Sequence, residues 1–223
     1  MIDDIINGLV YSIDQSKCNV KYKFIFDGCT DNSIDVFKTE SIKLKNIEYT
    51  ETDNLFQLRT NNLLMKEIDT DFLIIFQDDM VLTDINFIDN ILNVYDKYGD
   101  TLGVIGCRDG FNQSYDDMSG SKFSESTNRK IIESGDYEEK MMINIGPIIF
   151  TKEIIETMGY FDEAYDNGAY EEMEYSLKCY LKGFINIVLG VSLIHSKFDY
   201  KNRNKIRHTN SSILKDMYKV VKR

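Results

Sequence analysis

Three carboxylate clusters and one histidine hold the residues of this 223-residue chain best suited to chemistry. Gln77-Asp78-Asp79 follows directly on Phe72–Phe76 (FLIIF), an apolar run short enough to be a buried strand. A strand end that delivers two adjacent carboxylates to one point invites a cation, because the two anions repel each other without one. Mg²⁺ or Mn²⁺ suits such oxygen donors and keeps positions open for a diphosphate. A solvated acidic loop or a helix cap accounts for the same pair, since Asp84 and Asn86 lie close by, and both readings stand on the residues alone. The second cluster, Phe26-Asp27-Gly28-Cys29-Thr30-Asp31, also sits at a strand's end. Gly28 permits a tight turn there and Asp31 can cap the following helix. Asp27 could accept hydrogen bonds from the imide or amine groups of a nucleobase.

The third cluster is Tyr170-Glu171-Glu172-Met173-Glu174, at the start of a helix. Acidic residues in a first turn are favoured by the helix dipole. A carboxylate at such a place can also take a proton from an attacking hydroxyl. His195 ends the apolar stretch Val191–Ile194 and should emerge at the same sheet edge as the acids, as a structural histidine or as a metal ligand.

Elements that could position these residues alternate along the chain. Helices are expected over Ile5–Ile13, Asp31–Lys38, Leu55–Ile68, Ile85–Tyr98, Lys152–Met158 and Glu171–Leu181. Strands are expected over Lys21–Phe26, Asn46–Tyr49, Phe72–Phe76, Leu102–Cys107, Met142–Phe150, Phe184–Leu189 and Ser192–His195. Residues 108–140 read as a polar, mobile loop with one short strand near Lys130–Glu133. The alternation implies an α/β sandwich, in which ligands bind beyond the carboxyl ends of the strands.

The net charge of −11 is unevenly spread. Residues 1–195 hold 17 basic against 35 acidic side chains, and residues 196–223 hold 9 against 2. So acidic a body argues against nucleic acid as a partner. Four cysteines without paired spacing read as reduced thiols. Asp3 and Asp4 stand where a signal peptide would be basic, and no apolar run reaches the ~20 residues of a membrane span, so a cytoplasmic location is expected.

Taken in order, these motifs resemble the family 2 glycosyltransferases and their GT-A relatives. FDGCTDNS is similar to the family's DDGSTDNS turn, and FLIIFQDDMVL to the strand bearing its Asp-x-Asp metal motif. NIGPIIFTKEIIETMGYFDEAY through YEEMEYSLKCYLKGF is similar to its acceptor and base region. The resemblance spans roughly residues 5–195 and implies a GT-A (Rossmann-like) three-layer sandwich with a mostly parallel central sheet, beginning here without the usual first strand. Residues 1–195 are then the GT-A domain, and 196–223 a basic extension with an amphipathic helix over Ser211–Arg223.

The resemblance further implies an inverting transferase that moves a sugar from a UDP- or GDP-sugar to a glycan, lipid or protein hydroxyl. By position, Asp27 contacts the base, Asp78 the ribose or metal shell, and Asp79 with His195 holds Mn²⁺ or Mg²⁺. Glu172 is the general base with Glu171 beside it, and Arg59 and Asn62 help hold the nucleotide. Phe26, Gln77 and Glu172 depart from the family's usual acids at their positions. A degenerate transferase that binds without turnover and a sugar nucleotidyltransferase are the competing expectations. The tail is expected to dock on the body or to touch a membrane surface, and a homo-oligomer is compatible with the sequence.

Overall fold

A computed structural model describes residues 1–13, 16–107, 109–111, 132–144, 146–165 and 170–195. The basic extension and most of the 108–140 loop, including part of the strand expected near Lys130–Glu133, lie outside the described residues. In chain order the elements are α1 (Ile2–Ser12), β1 (Tyr22–Asp27), α2 (Ser33–Glu40), β2 (Ile47–Thr52), α3 (Phe56–Lys66), β3 (Phe72–Ile75), β4 (Met80–Leu82) and α4 (Phe87–Tyr98). Then come β5 (Leu102–Gly106), β6 (Asp109–Phe111), β7 (Tyr137–Lys140), β8 (Met142–Asn144), β9 (Ile148–Thr151), α5 (Lys152–Met158), α6 (Glu171–Leu181), β10 (Ile185–Leu189) and β11 (Leu193–His195).

The central sheet has the order β3-β9-β5-β10-β7. Strand β9 runs antiparallel to both of its neighbours, so β3 and β5 point the same way, and β10 lies parallel to β5. Edge strand β7 is antiparallel to β10. Three of the five strands therefore share one direction within a mixed sheet. Around it lie three two-stranded pairings: β1 with β2 in parallel, β4 with β11, and β6 with β8.

Alternation along the central strands divides the core into two layers. Val104, Ile148, Phe150 and Val188 pack on one face with Leu58 and Met65 of α3, Ile154 of α5 and Tyr175 of α6. Ile105, Ile149, Ile187 and Leu189 pack on the other with α1, α2 and α4. All four β9 residues are buried, as the apolar run required. Each of these large apolar side chains contributes about 1.5–3 kcal/mol by leaving water.

One expected strand comes out differently, and one strand was not expected. Met142–Phe150 is two strands rather than one, because Pro147 has no N–H to give a ladder and the chain turns at Gly146. Strand β7 (YEEK) was invisible among acidic residues, since an edge strand needs little apolar character.

Candidate functional site

The carboxyl ends of β1 and β3 meet at one rim. Asp27, Cys29, Gln77, Asp78 and Asp79 all line a single cavity of about 1250 Å³ that runs between the two strands. Cys29 reports the crowding of charge. Its thiol is raised above its ordinary value, first by burial and then by Asp31, Asp78 and Asp27. Asp27 and Asp78, 51 residues apart in sequence, thus act on one atom.

Asp27 is held firmly by the turn it begins. Its Oδ1 accepts from Thr52 Oγ1 at 2.8 Å and from the Leu55 N–H at 2.5 Å, and its Oδ2 accepts from the Phe56 N–H at 2.7 Å. Phe56 begins α3 at φ +65°, a conformation unfavourable for a side chain, which the two N–H bonds to Asp27 hold in place. A carboxylate has about four lone-pair sites, so three bonds leave little capacity for a base. Gly28 is required beside it, because a Cβ there would stand 2.8 Å from Asn54 Cβ and its φ is +65°. Asp31 accepts from the Ser33 N–H at 3.0 Å, and this bonding lowers its carboxyl from the ordinary value.

Asp79 is only 6% exposed, whereas a carboxylate in a solvated loop would stand in water. Pairing of β4 with β11 carries it to the C-terminal end of the chain's body. The register sets His195 opposite Met80, one residue from Asp79, and Leu193 opposite Leu82. Asp84 fixes that junction by accepting from the Ser192 N–H at 3.2 Å and the Asn86 N–H at 3.0 Å. Strand β4 was not expected from sequence, because three residues carry no periodicity, and Asp84 was read there only as part of an acidic region.

Glu171, Glu172 and Glu174 open α6 and are all nearly fully buried. Ser176 anchors this turn to the sheet: its Oγ donates to the Glu172 carbonyl at 2.7 Å and accepts from the Ile143 N–H of β8 at 2.8 Å. Asn186 of β10 extends the tie, donating to the Ser176 carbonyl at 2.7 Å and accepting from the Val104 N–H at 3.0 Å. The β8–β9 turn in turn reaches the rim, since a Cβ on Gly146 would stand 3.4 Å from the Ile75 carbonyl and 3.9 Å from Gln77. Glu171 and Glu172 do not themselves line the cavity. Burial raises the Glu174 carboxyl, against the opposing pull of its ion pair with Lys178. It also raises the phenol of Tyr165, which Glu174 and Asp162 push further.

Helix α3 presents a different face to the cavity from the one expected. Gln57, Thr60, Asn61 and Leu64 line it. Asn62 turns away and is spent on the loop before α6: its Oδ1 accepts from the Phe161 N–H at 2.9 Å, and its Nδ2 donates to the Phe161 carbonyl at 3.0 Å and to Glu163 at 3.2 Å. Arg59 lies 3.6 Å from the Glu163 carboxylate on the same side.

Among the described residues, no group of three or more His, Cys, Asp or Glu side chains is arranged to hold a metal ion. No helix there is long and apolar enough to cross a membrane.

No protein-family model matches the chain, and no curated protein matches it in sequence. Solved structures match in fold. Residues 1–349 of S. aureus TarS in complex with UDP-GlcNAc give a TM-score of 0.59 at 17% identity, covering 89% of this chain and 55% of that one. The same TarS fragment in complex with UDP gives 0.59 at 16%, covering 94% and 60%. GalNAc-T7 with UDP, GalNAc and Mn²⁺ gives 0.66 at 12%, covering 96% and 46%. The chain therefore spans less than two thirds of each of these structures. It has the GT-A fold.

Proposed function

We propose that this chain is a glycosyltransferase that takes its sugar from a nucleoside diphosphate sugar at the β1–β3 rim. The observation that carries the reading is the convergence of Asp27, Asp78 and Asp79 on one end of one cavity, in a fold whose solved examples include complexes with UDP and UDP-GlcNAc. Gln57 and Asn61 offer amide donors and acceptors to the nucleoside from α3. Asp27 shapes the pocket floor through the turn it holds.

A divalent cation fits the rim. Mg²⁺ and Mn²⁺ sites commonly use one or two carboxylates and complete their shell with phosphate oxygens, so a three-residue protein cluster is not required. Asp79 and Asp78 would hold it, with His195 in register beside them. Bound there, the cation supplies positive charge against the departing diphosphate. Glu172 accepts the proton of the acceptor hydroxyl as that oxygen attacks the anomeric carbon, giving inversion in one displacement. Ser176 and Asn186 keep the Glu172 turn in place against β8.

The near-complete burial of Glu171 and Glu172 favours a second reading, in which the chain binds a nucleotide sugar without turning it over. One assay separates them. Titration of UDP- and GDP-sugars with and without Mn²⁺, followed by release of nucleoside diphosphate, should give metal-dependent binding and release for a transferase. Binding without release leaves the second reading, and no binding of any donor removes both.

The basic extension is proposed to meet an anionic membrane surface, which would present a lipid-borne acceptor to the rim. Deleting residues 211–223 should then abolish liposome binding and leave donor binding intact.

A further inference from the structure

Asp84 does not line the cavity, yet it is a carboxylate only 4% exposed. Three uncharged donors meet it. Its Oδ2 accepts from the Ser192 N–H at 3.2 Å and from the Ser134 hydroxyl, and its Oδ1 accepts from the Asn86 N–H at 3.0 Å. Burying a carboxylate without a cation is costly, and asparagine would make the turn to Asn86 equally well. Asparagine has one acceptor oxygen, however, and either orientation of its amide would set an N–H against a backbone N–H. The residue type therefore follows from the number of segments that Asp84 joins.

The first of these is the start of β11. Ser192 is gripped at both of its backbone groups, its N–H by Asp84 and its carbonyl by the Thr83 N–H at 3.0 Å. From there β11 runs antiparallel to β4, with Leu193 opposite Leu82, Ile194 opposite Val81 and His195 opposite Met80. The two strands form a sheet of their own, and three residue pairs specify register weakly. A slip by one residue would reverse the side to which every β11 side chain points, His195 included. The grip on Ser192 opposes that slip.

The second segment is the turn 132–136, which brings the chain back from the 108–140 stretch. The Gly135 N–H donates to the Gly190 carbonyl at 3.1 Å, and the Gly190 N–H to the Asp136 carbonyl at 2.8 Å. Approach is so close that a Cβ on Gly190 would stand 2.0 Å from the Glu133 carbonyl oxygen. On its other side the turn meets α4, where Asn90 Nδ2 lies 3.5 Å from Ser134 Oγ. The turn is thus seated between α4 and the link from β10 to β11. Its hydroxyl bonds to the same Asp84 oxygen that holds Ser192.

We propose that Asp84 is a positioning residue for the rim cation: by gripping Ser192 it keeps His195 in register beside Asp79, and through Ser134 it makes that register depend on the seat of the 132–136 turn. This role rests on the reading of the rim as a cation site. Because Asp84 is set back from the cavity, its effect on the cation passes through β11.

Mn²⁺ affinity of the full chain at saturating UDP, read by electron paramagnetic resonance, tests this in a mutant cycle. His195→Ala and Asp84→Asn should each weaken Mn²⁺ binding about tenfold or more. Ser134→Ala, at an exposed position, should weaken it about threefold, and keeps the test in force if Asp84→Asn fails to fold. In the His195→Ala background either substitution should add less than about twofold, because the ligand it positions is already gone. Nitrogen coupling to the bound Mn²⁺ should be lost in His195→Ala and reduced in Asp84→Asn. A wild-type chain that binds no Mn²⁺, or His195→Ala that binds it undiminished, would remove the cation reading and this role together. Undiminished affinity in Asp84→Asn and Ser134→Ala beside a weakened His195→Ala would overturn the positioning role alone. Equal losses with and without His195 would overturn it too, since charge or fold rather than register would then explain them.

Discussion

The two sheet regions that meet at the rim are built to opposite standards. Strand β9 has neighbours on both sides and all four of its residues are buried, so its position is fixed by packing and by hydrogen bonds together. The β1–β2 pair has partners on one side only, is half-buried, and is tied to β3 through ion pairs of Lys21 and Lys23 with Asp69 and Glu67. The acidic rim lies where these regions meet. Strand β3, paired with β9, leads to Asp78 and Asp79, and β1, paired with β2, carries Asp27.

Truncation should expose the contrast most strongly. Phe150→Ala removes a fully buried ring that stacks edge-on against Phe161 and Tyr175, and should cost about 3–5 kcal/mol in denaturant unfolding. Tyr49→Ala on exposed β2 should cost about 1 kcal/mol or less. Similar losses at the two sites would show the regions to be equally constrained. At the rim, Asp79→Asn keeps the shape and removes the charge. Metal-dependent donor turnover should fall about 100-fold with little change in unfolding midpoint.

Two neighbours on α3 sharpen the distinction between framework and site. Asn62→Ala leaves buried backbone groups of Phe161 without partners and should cost about 1–3 kcal/mol of stability, with donor affinity per folded molecule unchanged. Asn61→Ala should do the reverse, weakening donor binding about fivefold in a calorimetric titration. A smaller effect is expected at Glu174. Burial raises its carboxyl, so the folded state holds the proton more tightly than the unfolded one. Its stabilising contribution is complete below the ordinary value of 4.5 and is lost as pH rises through the folded-state value. Glu174→Gln should accordingly be the more stable protein at pH 7, and the gap should close as the pH falls toward 4.5.

Much of the fold was legible because its signals are local. FLIIF read as a strand from its length and apolar character, the helices announced themselves through 3.6-residue spacing, and the acids stood directly after strands. What failed to register were short or weakly apolar elements such as β4, β6 and β7, which exist because a partner strand supplies their bonds. The faces of α3 were also misassigned, since Arg59 and Asn62 are as polar as Gln57 and Asn61 and differ only in what lies opposite them.

Residue order alone thus determined the α/β alternation, the carboxylates at strand ends and the acidic body with its basic tail. Tertiary structure alone decided which of those carboxylates meet, and which amide of α3 faces the cavity. It also brought β1 and β3, strands of separate sheets, to one rim. The reason is physical: periodicity and turn chemistry act over a few residues, whereas convergence depends on how sheets pair across a hundred of them.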